Sequence, residues 1–184
     1  VSVNRPELRK KRRSFTFTGL NSDPFLEFTI KIYPDHQGVT NELESLRPGD
    51  EMVIGAPFGA ISYRGKGIFI AGGAGITPFL SIFRDLHSRN ELGGNLLFYA
   101  SKTRADIILE KELAGMLGEG MINVLSREKA EIYRHGHITE GLLREYTDDF
   151  SCPFYLCGPP EMMKSMTEML AGLGVDRKAV IMDL

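Results

Sequence analysis

Gly67-Ile68-Phe69-Ile70-Ala71-Gly72-Gly73-Ala74-Gly75-Ile76-Thr77-Pro78 decides the fold. A short apolar run reads as a buried strand, the glycines as a turn and Pro78 as the first turn of a helix. Gly72, Gly73 and Gly75 let the main chain turn sharply and approach a ligand without a Cβ in the way. Amides left open where the helix begins suit a polyanion such as a phosphate. Glycine-rich turns between strand and helix are common, so the meaning of this one depends on the rest of the chain.

Downstream of Gly65 the chain alternates strand and helix. Residues 95–100, 121–125, 153–157 and 179–182 read as buried strands. Phe79, Ile82, Phe83 and Leu86 fall on one helical face, and Met162, Met166, Met169, Leu170 and Leu173 repeat that face in the last helix. Strands alternating with helices predict a parallel, doubly wound sheet covered on both sides. Upstream the period is two. Ser14-Phe15-Thr16-Phe17-Thr18 and residues 25–33 alternate β-branched and aromatic positions around the turn Leu20-Asn21-Ser22-Asp23-Pro24. A short helix is expected at Thr40-Asn41-Glu42-Leu43, and a strand at 51–54 after the turn Arg47-Pro48-Gly49-Asp50. The fold class is therefore a two-domain β plus α/β protein: a β module over 1–65, then a doubly wound α/β module over 66–184. The opening Val1-Ser2-Val3-Asn4 is strand-like and lacks an initiator Met, which suggests that residues precede it.

The 184 residues carry 42% apolar and 25% charged side chains, and a net charge of −2 offers no field to draw nucleic acid or a membrane surface. No apolar run approaches the ~20 residues of a membrane-spanning helix, so a cytoplasmic protein is the expectation. Cys152 and Cys157 are too few for a disulfide framework or a four-cysteine cluster, so any iron–sulfur centre lies elsewhere. His135 and His137 alone do not make a metal site, and no metal is expected.

Three further segments could carry chemistry. Arg13-Ser14-Phe15-Thr16 offers a guanidinium for a phosphate, an aromatic for a flat ring and hydroxyls for ring heteroatoms; it also reads as the end of a solvated basic run, Arg9-Lys10-Lys11-Arg12-Arg13. Gly38-Val39-Thr40 places a glycine and a hydroxyl at a helix start, which suits a second phosphate or simply a capped surface helix. Cys157-Gly158-Pro159-Pro160 ends a strand at the carboxyl edge of the sheet, where open α/β folds bind ligands, although a buried inert thiol fits there too.

In this order the segments resemble the ferredoxin–NADP reductase superfamily, specifically its bacterial flavodoxin/ferredoxin reductase-like branch. Arg13-Ser14-Phe15-Thr16 matches its flavin motif, Gly38-Val39-Thr40 its phosphate segment, the glycine turn its pyridine-nucleotide loop and Cys157-Gly158-Pro159-Pro160 its Cys-Gly-Pro-Pro corner. The resemblance implies an antiparallel β-barrel flavin domain, here lacking its N-terminal strands, followed by the α/β domain. It implies FAD, with Arg13 and Gly38, Val39 and Thr40 at the pyrophosphate, Phe15 on the isoalloxazine, Thr16 near flavin N5, and Ser14 among the cofactor-binding residues. It places the nicotinamide nucleotide on Gly73, Gly75 and Thr77, with Cys157, Gly158 and Pro159 beside the nicotinamide. Thr16 and Cys157 would flank the hydride path. Ser101, Arg104 and Arg127 fall where the adenosine ribose is read, and suit a 2′-phosphate, favouring NADPH with NADH as the alternative.

The motif aromatic is Phe15, not tyrosine, and no aromatic residue ends the chain at Met182-Asp183-Leu184 to shield the flavin. The implied function is an NAD(P)H-dependent reductase passing electrons to a soluble carrier such as ferredoxin or flavodoxin. The alternatives are a reductase component of an oxygenase or flavohaemoprotein system, and a non-catalytic protein of the nucleotide-binding or electron-transfer kind.

Overall fold

Alternation along the strand β3 (Ile68–Gly72) sends Ile68 and Ile70 to one side of a sheet and Phe69 and Ala71 to the other, and all four are buried. That is why this segment reads as a continuous apolar run: both faces of a parallel sheet are covered. The structure is a computed structural model and describes residues 1–32 and 39–182.

Upstream of β3 lie β1 (Ser2–Val3), α1 (Val39–Leu43) and β2 (Met52–Val53), with β1 and β2 paired antiparallel. The expected strands at 14–18 and 25–33 are a correction. Among the described residues they meet at one antiparallel bridge, Phe17 opposite Phe28, whose rings lie 4.8 Å apart, with Thr18 N donating to the Glu27 carbonyl. The alternation thus gives the right pairing but not a regular ladder. A two-stranded pair with no third strand beside it has too little stabilising it to extend. Asp23 accepts from the Leu20 amide at 2.7 Å and so builds the expected turn between the two segments.

After β3 follow α2 (Thr77–Ser88), β4 (Leu96–Ser101), α3 (Glu110–Leu117), β5 (Met121–Leu125), β6 (Arg134–His135), α4 (Glu140–Arg144), β7 (Phe154–Cys157), α5 (Pro160–Gly172) and β8 (Val180–Met182). Their six strands form one sheet in the order β6-β5-β4-β3-β7-β8, every pair parallel. The chain walks outward from β3 and then returns to its other side, so the order reverses between β3 and β7. In open α/β sheets the crevice at such a reversal, beyond the carboxyl ends of the strands, is the ligand site.

On one face α2 lays Phe79, Leu80, Phe83 and Leu86 against Phe69, Tyr99 and Tyr155. The Phe69 ring stacks on Tyr155 at 4.2 Å and meets Phe79 and Phe83 edge-on. On the other face α4 and α5 cover Ile70, Phe98 and Leu156 with Leu142, Leu143, Met166 and Leu170. Met166 and Leu170 of the Met stripe are therefore core packing, with Met169 and Leu173 partly buried beside them.

Among the described residues, polar ties join the upstream segments to the α/β unit. Tyr155 Oη donates to the Gly65 carbonyl and accepts from the Arg64 amide, both at 2.8 Å. Lys31 pairs with Asp106 at 2.7 Å. Arg84 on α2 donates to the Thr18 carbonyl at 2.7 Å and pairs with Glu27.

Candidate functional site

At the reversal point the backbone does what the glycines permit. Gly73 takes φ +53°, left-handed, and a Cβ there would meet nothing within 4 Å, so its outer side is open. Gly75 faces inward: a Cβ there would overlap the Cys157 carbonyl, approaching its carbon to 2.5 Å. A 3₁₀ turn over Gly73–Ile76 leads into α2, where Thr77 Oγ1 donates to the Ala74 carbonyl and Pro78 occupies the first turn. At the end of β7, Pro159 caps α5 and Pro160 begins it, so Cys157 and Gly158 are held against the glycine turn.

These two corners form one wall of a cavity of about 810 Å³. Gly73, Gly75 and Thr77 line it together with Cys157, Gly158 and Pro159. The upstream segments contribute Ser14, Phe15, Thr16 and Thr40 to the same lining. Segments far apart in sequence thus border one space. Its volume lies within the ~300–1,000 Å³ of small-molecule and cofactor sites.

At the far end of the cavity, beyond β4 and β5, stand Ser101, Lys102, Ser126 and His137. Ser101 is only 7% exposed, and its Oγ has no hydrogen-bond partner among the described residues. A buried orphan hydroxyl facing a cavity suits a ligand oxygen in the place where none is supplied by the protein. The Lys31–Asp106 pair also borders the cavity. Asp106 closes a capping box with Thr103, and the Lys31 ammonium, followed by the Thr103 hydroxyl, holds its carboxyl below the usual range.

Several expected residues lie elsewhere. Arg13 does not border the cavity; its guanidinium donates to the Arg12 carbonyl, one residue ahead of the lining. Arg104 turns to the surface, where it pairs with Glu110 at 3.6 Å and stands over the Tyr133 ring. Arg127 is not a lining residue either. Val39 opens α1 beside the lining residue Thr40, and Gly38 lies outside the described residues. Lys102 and His137 border the far end instead, while Lys31 and Met162 line other parts of the wall. Lys102 is signalled in the sequence only by its place next to Ser101. His137 has no metal-ligand spacing to single it out, and the signal for it is Gly136 beside it, whose φ of +110° marks the turn that brings it in.

A strand-to-glycine-to-helix crevice at a sheet reversal, faced by a second module, defines a pyridine-nucleotide oxidoreductase domain. The family model of the oxidoreductase NAD-binding domain matches residues 69–168, more than half the chain, and the chain belongs to that family. The F component of the Na(+)-translocating NADH-quinone reductase of Yersinia pestis (strain Pestoides F) is 29% identical over 76% of this chain and 38% of its own length. The reductase component of propane 2-monooxygenase from Rhodococcus jostii (strain RHA1) is 27% identical over 95% of this chain and 51% of its own. This chain therefore spans between about a third and a half of those relatives. A ferredoxin NADP+ reductase from Neisseria gonorrhoeae, solved with bound FAD and NADP, superposes with a TM-score of 0.70 at 20% identity, covering 93% of this chain and 78% of that one. The fold is that of the ferredoxin–NADP reductases.

Proposed function

We propose that this chain is the electron-input unit of a flavoprotein reductase, taking hydride from NADPH or NADH onto FAD and passing electrons to a protein carrier. One observation carries the reading. The segment with Ser14, Phe15 and Thr16 and the corner with Gly73, Gly75 and Cys157 line a single cavity.

The lining fits both groups. Phe15 presents a half-buried ring to a flat heterocycle, and Thr16 a hydroxyl to a ring nitrogen. Arg13, next to the first lining residue, supplies charge for a pyrophosphate, with Thr40 at the head of α1. Open amides at the glycine turn receive the nucleotide phosphates, and Ser101, Lys102, Ser126 and His137 the adenosine ribose. When bound, the flavin would supply the redox chemistry, taking up the two electrons of one hydride and giving them up singly, chemistry the protein positions and does not itself supply. Cys157 and Gly158 hold the nicotinamide corner against β3, and Thr16 lines the same cavity. Holding two reactants at a reacting distance of ~3–3.5 Å is the largest service such a site performs.

NADPH over NADH is supported by Ser101, Lys102 and Ser126 at the ends of β4 and β5, where hydroxyls and a cation suit a 2′-phosphate. The carrier reading is ferredoxin or flavodoxin. A second reading, service to an oxygenase, is supported by the monooxygenase reductase component that aligns over 95% of the chain.

Anaerobic titration of the full-length protein with NADPH and then NADH, followed by visible absorbance, tests the proposal. Flavin bleaching at stoichiometric nucleotide is expected, faster with NADPH. Protein that takes up no FAD would overturn it in favour of a non-catalytic nucleotide-binding role.

A further inference from the structure

Arg84 is an odd residue to find on the inner part of α2. Its side chain is 19% exposed and each nitrogen of its fork donates: Nε and Nη2 donate to the two carboxylate oxygens of Glu112 on α3 at 2.6 and 3.1 Å. Nη1 donates to the Thr18 carbonyl at 2.7 Å and to Glu27. Glu27 accepts in turn from Thr18 Oγ1 at 2.7 Å, and that hydroxyl lies 3.1 Å from Thr29 Oγ1 on the cavity wall. An aliphatic residue could fill such a place without the cost of desolvating three charges. What the ionic network adds is a fixed direction: a planar fork satisfied on both sides permits little sliding between the elements it joins.

Those elements are the ones whose spacing matters. Thr77, at the head of α2, belongs to the glycine corner of the cavity, and Arg84 lies seven residues on, about 10 Å along the helix axis at ~1.5 Å per residue. Thr18 lies two residues beyond Thr16, about 7 Å along an extended chain at ~3.3 Å per residue. Arg84, Glu27, Glu112 and Thr18 are all absent from the cavity lining, so they act through the backbone they hold.

We infer that Arg84 is a positioning residue for hydride transfer. By gripping the Thr18 carbonyl and Glu27 it fixes the distance between the Thr16 wall and the glycine corner of the same helix. The inference rests on the reductase reading above. A displacement of ~1 Å in such a site costs on the order of 10²-fold in rate, whereas binding of either cofactor alone survives it.

The test uses the full-length, flavin-loaded protein and Arg84→Gln, Arg84→Lys, Glu27→Gln and the double variant R84Q/E27Q. Arg84→Gln is expected to lower the limiting rate of flavin reduction at saturating nucleotide at least ~10-fold, with nucleotide Kd and flavin occupancy within about twofold of wild type. The long-wavelength nicotinamide–flavin charge-transfer band weakens in parallel. Arg84→Lys keeps the charge without the fork and falls between. The double variant is no slower than Arg84→Gln, since both remove one tie. Leu170→Val, in the core on the opposite face of the sheet, supplies a comparable loss of Tm with an unchanged limiting rate. In flavin-free protein, amide exchange at 14–18 and 26–29 accelerates in Arg84→Gln while β3 stays protected. A wild-type limiting rate and charge-transfer band in Arg84→Gln overturns the inference while leaving the reductase reading standing. Slowing by Leu170→Val equal to that of Arg84→Gln overturns it as well, by reducing the effect to stability. Wild-type flavin that neither nucleotide reduces overturns both, and is seen before any variant is made.

Discussion

Gly75 rests directly on the carbonyl of Cys157, with no room for a Cβ between the turn after β3 and the end of β7. Two corners that meet by backbone alone are locked in register, and the cavity inherits its shape from that contact. Gly75→Ala forces the corners apart and, like other overpacked substitutions, is expected to destabilise by about 1–3 kcal/mol. It is also expected to abolish nucleotide binding before flavin binding. Chemical unfolding and nucleotide titration of the same sample check both, and a Gly75→Ala protein with native affinity would refute the locked corner.

Cys157→Ser changes the atom beside the proposed nicotinamide place and leaves the Thr16 segment untouched. Bound flavin is expected to remain, with its reduction by NADPH slowed about tenfold, on the scale of a single positioned group, ~1.4 kcal/mol. Rapid-mixing absorbance measures it; unchanged kinetics would remove the thiol from the site.

Ser101→Ala deletes a buried hydroxyl that has no partner among the described residues. Removing an unsatisfied polar group relieves a cost, so Tm is expected to hold or rise. Loss of a ligand hydrogen bond of ~1 kcal/mol weakens nucleotide binding about fivefold. The pairing of the two results is the check, because a purely structural serine would lower Tm and spare the affinity.

Arg13→Ala is expected to reduce FAD retention while the thermal transition of the α/β unit stays in place, since Arg13 makes no tie to that unit among its described contacts. Flavin content after gel filtration measures it. Full occupancy would move the pyrophosphate anchor to another residue.

The seam between the two modules is pH-sensitive in a predictable direction. Arg84, then Thr18, hold the Glu27 carboxyl below its ordinary value, and Lys31 does the same for Asp106. Native values below the unfolded ones of ~4.3 and ~3.9 mean that this stabilisation is complete above about pH 5. It is lost as pH falls through the depressed native values. Urea midpoints between pH 7 and pH 3 are expected to fall more gently in Asp106→Asn and Glu27→Gln than in wild type; equal slopes would show that neither pair is linked to folding.

The α/β unit is legible in the sequence because each of its signals is local. Ile68 to Gly72 is apolar on both faces, Met121 to Leu125 is a short apolar run broken only by Asn123, and the helical stripe at Phe79, Phe83 and Leu86 repeats at the right spacing. Strand β6 is not, since Arg134–His135 is two exposed polar residues whose pairing comes only from the neighbouring Val124 and Leu125. The helix start of α3 is hidden for a related reason: Leu109 sits at φ +52°, a cap that its residue type does not advertise. At the site, glycines and the Cys-Gly-Pro-Pro corner announce themselves through backbone demands. The charged residues do not. Arg104 and Lys102 look equivalent in sequence, and only the carboxylate of Glu110 and the ring of Tyr133, brought close by tertiary packing, draw Arg104 away from the cavity. Arg84 reads as an ordinary polar position of an amphipathic helix, because its partners Glu27 and Glu112 lie 57 and 28 residues away.

Tyr155 is wired at its hydroxyl to the main chain just ahead of the expected boundary, accepting from Arg64 and donating to Gly65. The passage from one module to the next is consequently a weld and not a tether. A trimming of the gene to begin at Lys66 would strip a phenol deep in the sheet of both its partners, so the smallest faithful fragment must begin upstream of the crossing. Swapping in the β module of a relative would likewise succeed only if the borrowed piece brought its own Arg64–Gly65 pair of peptide groups to the same place. The crossing thus makes the two halves heritable together, as one cassette.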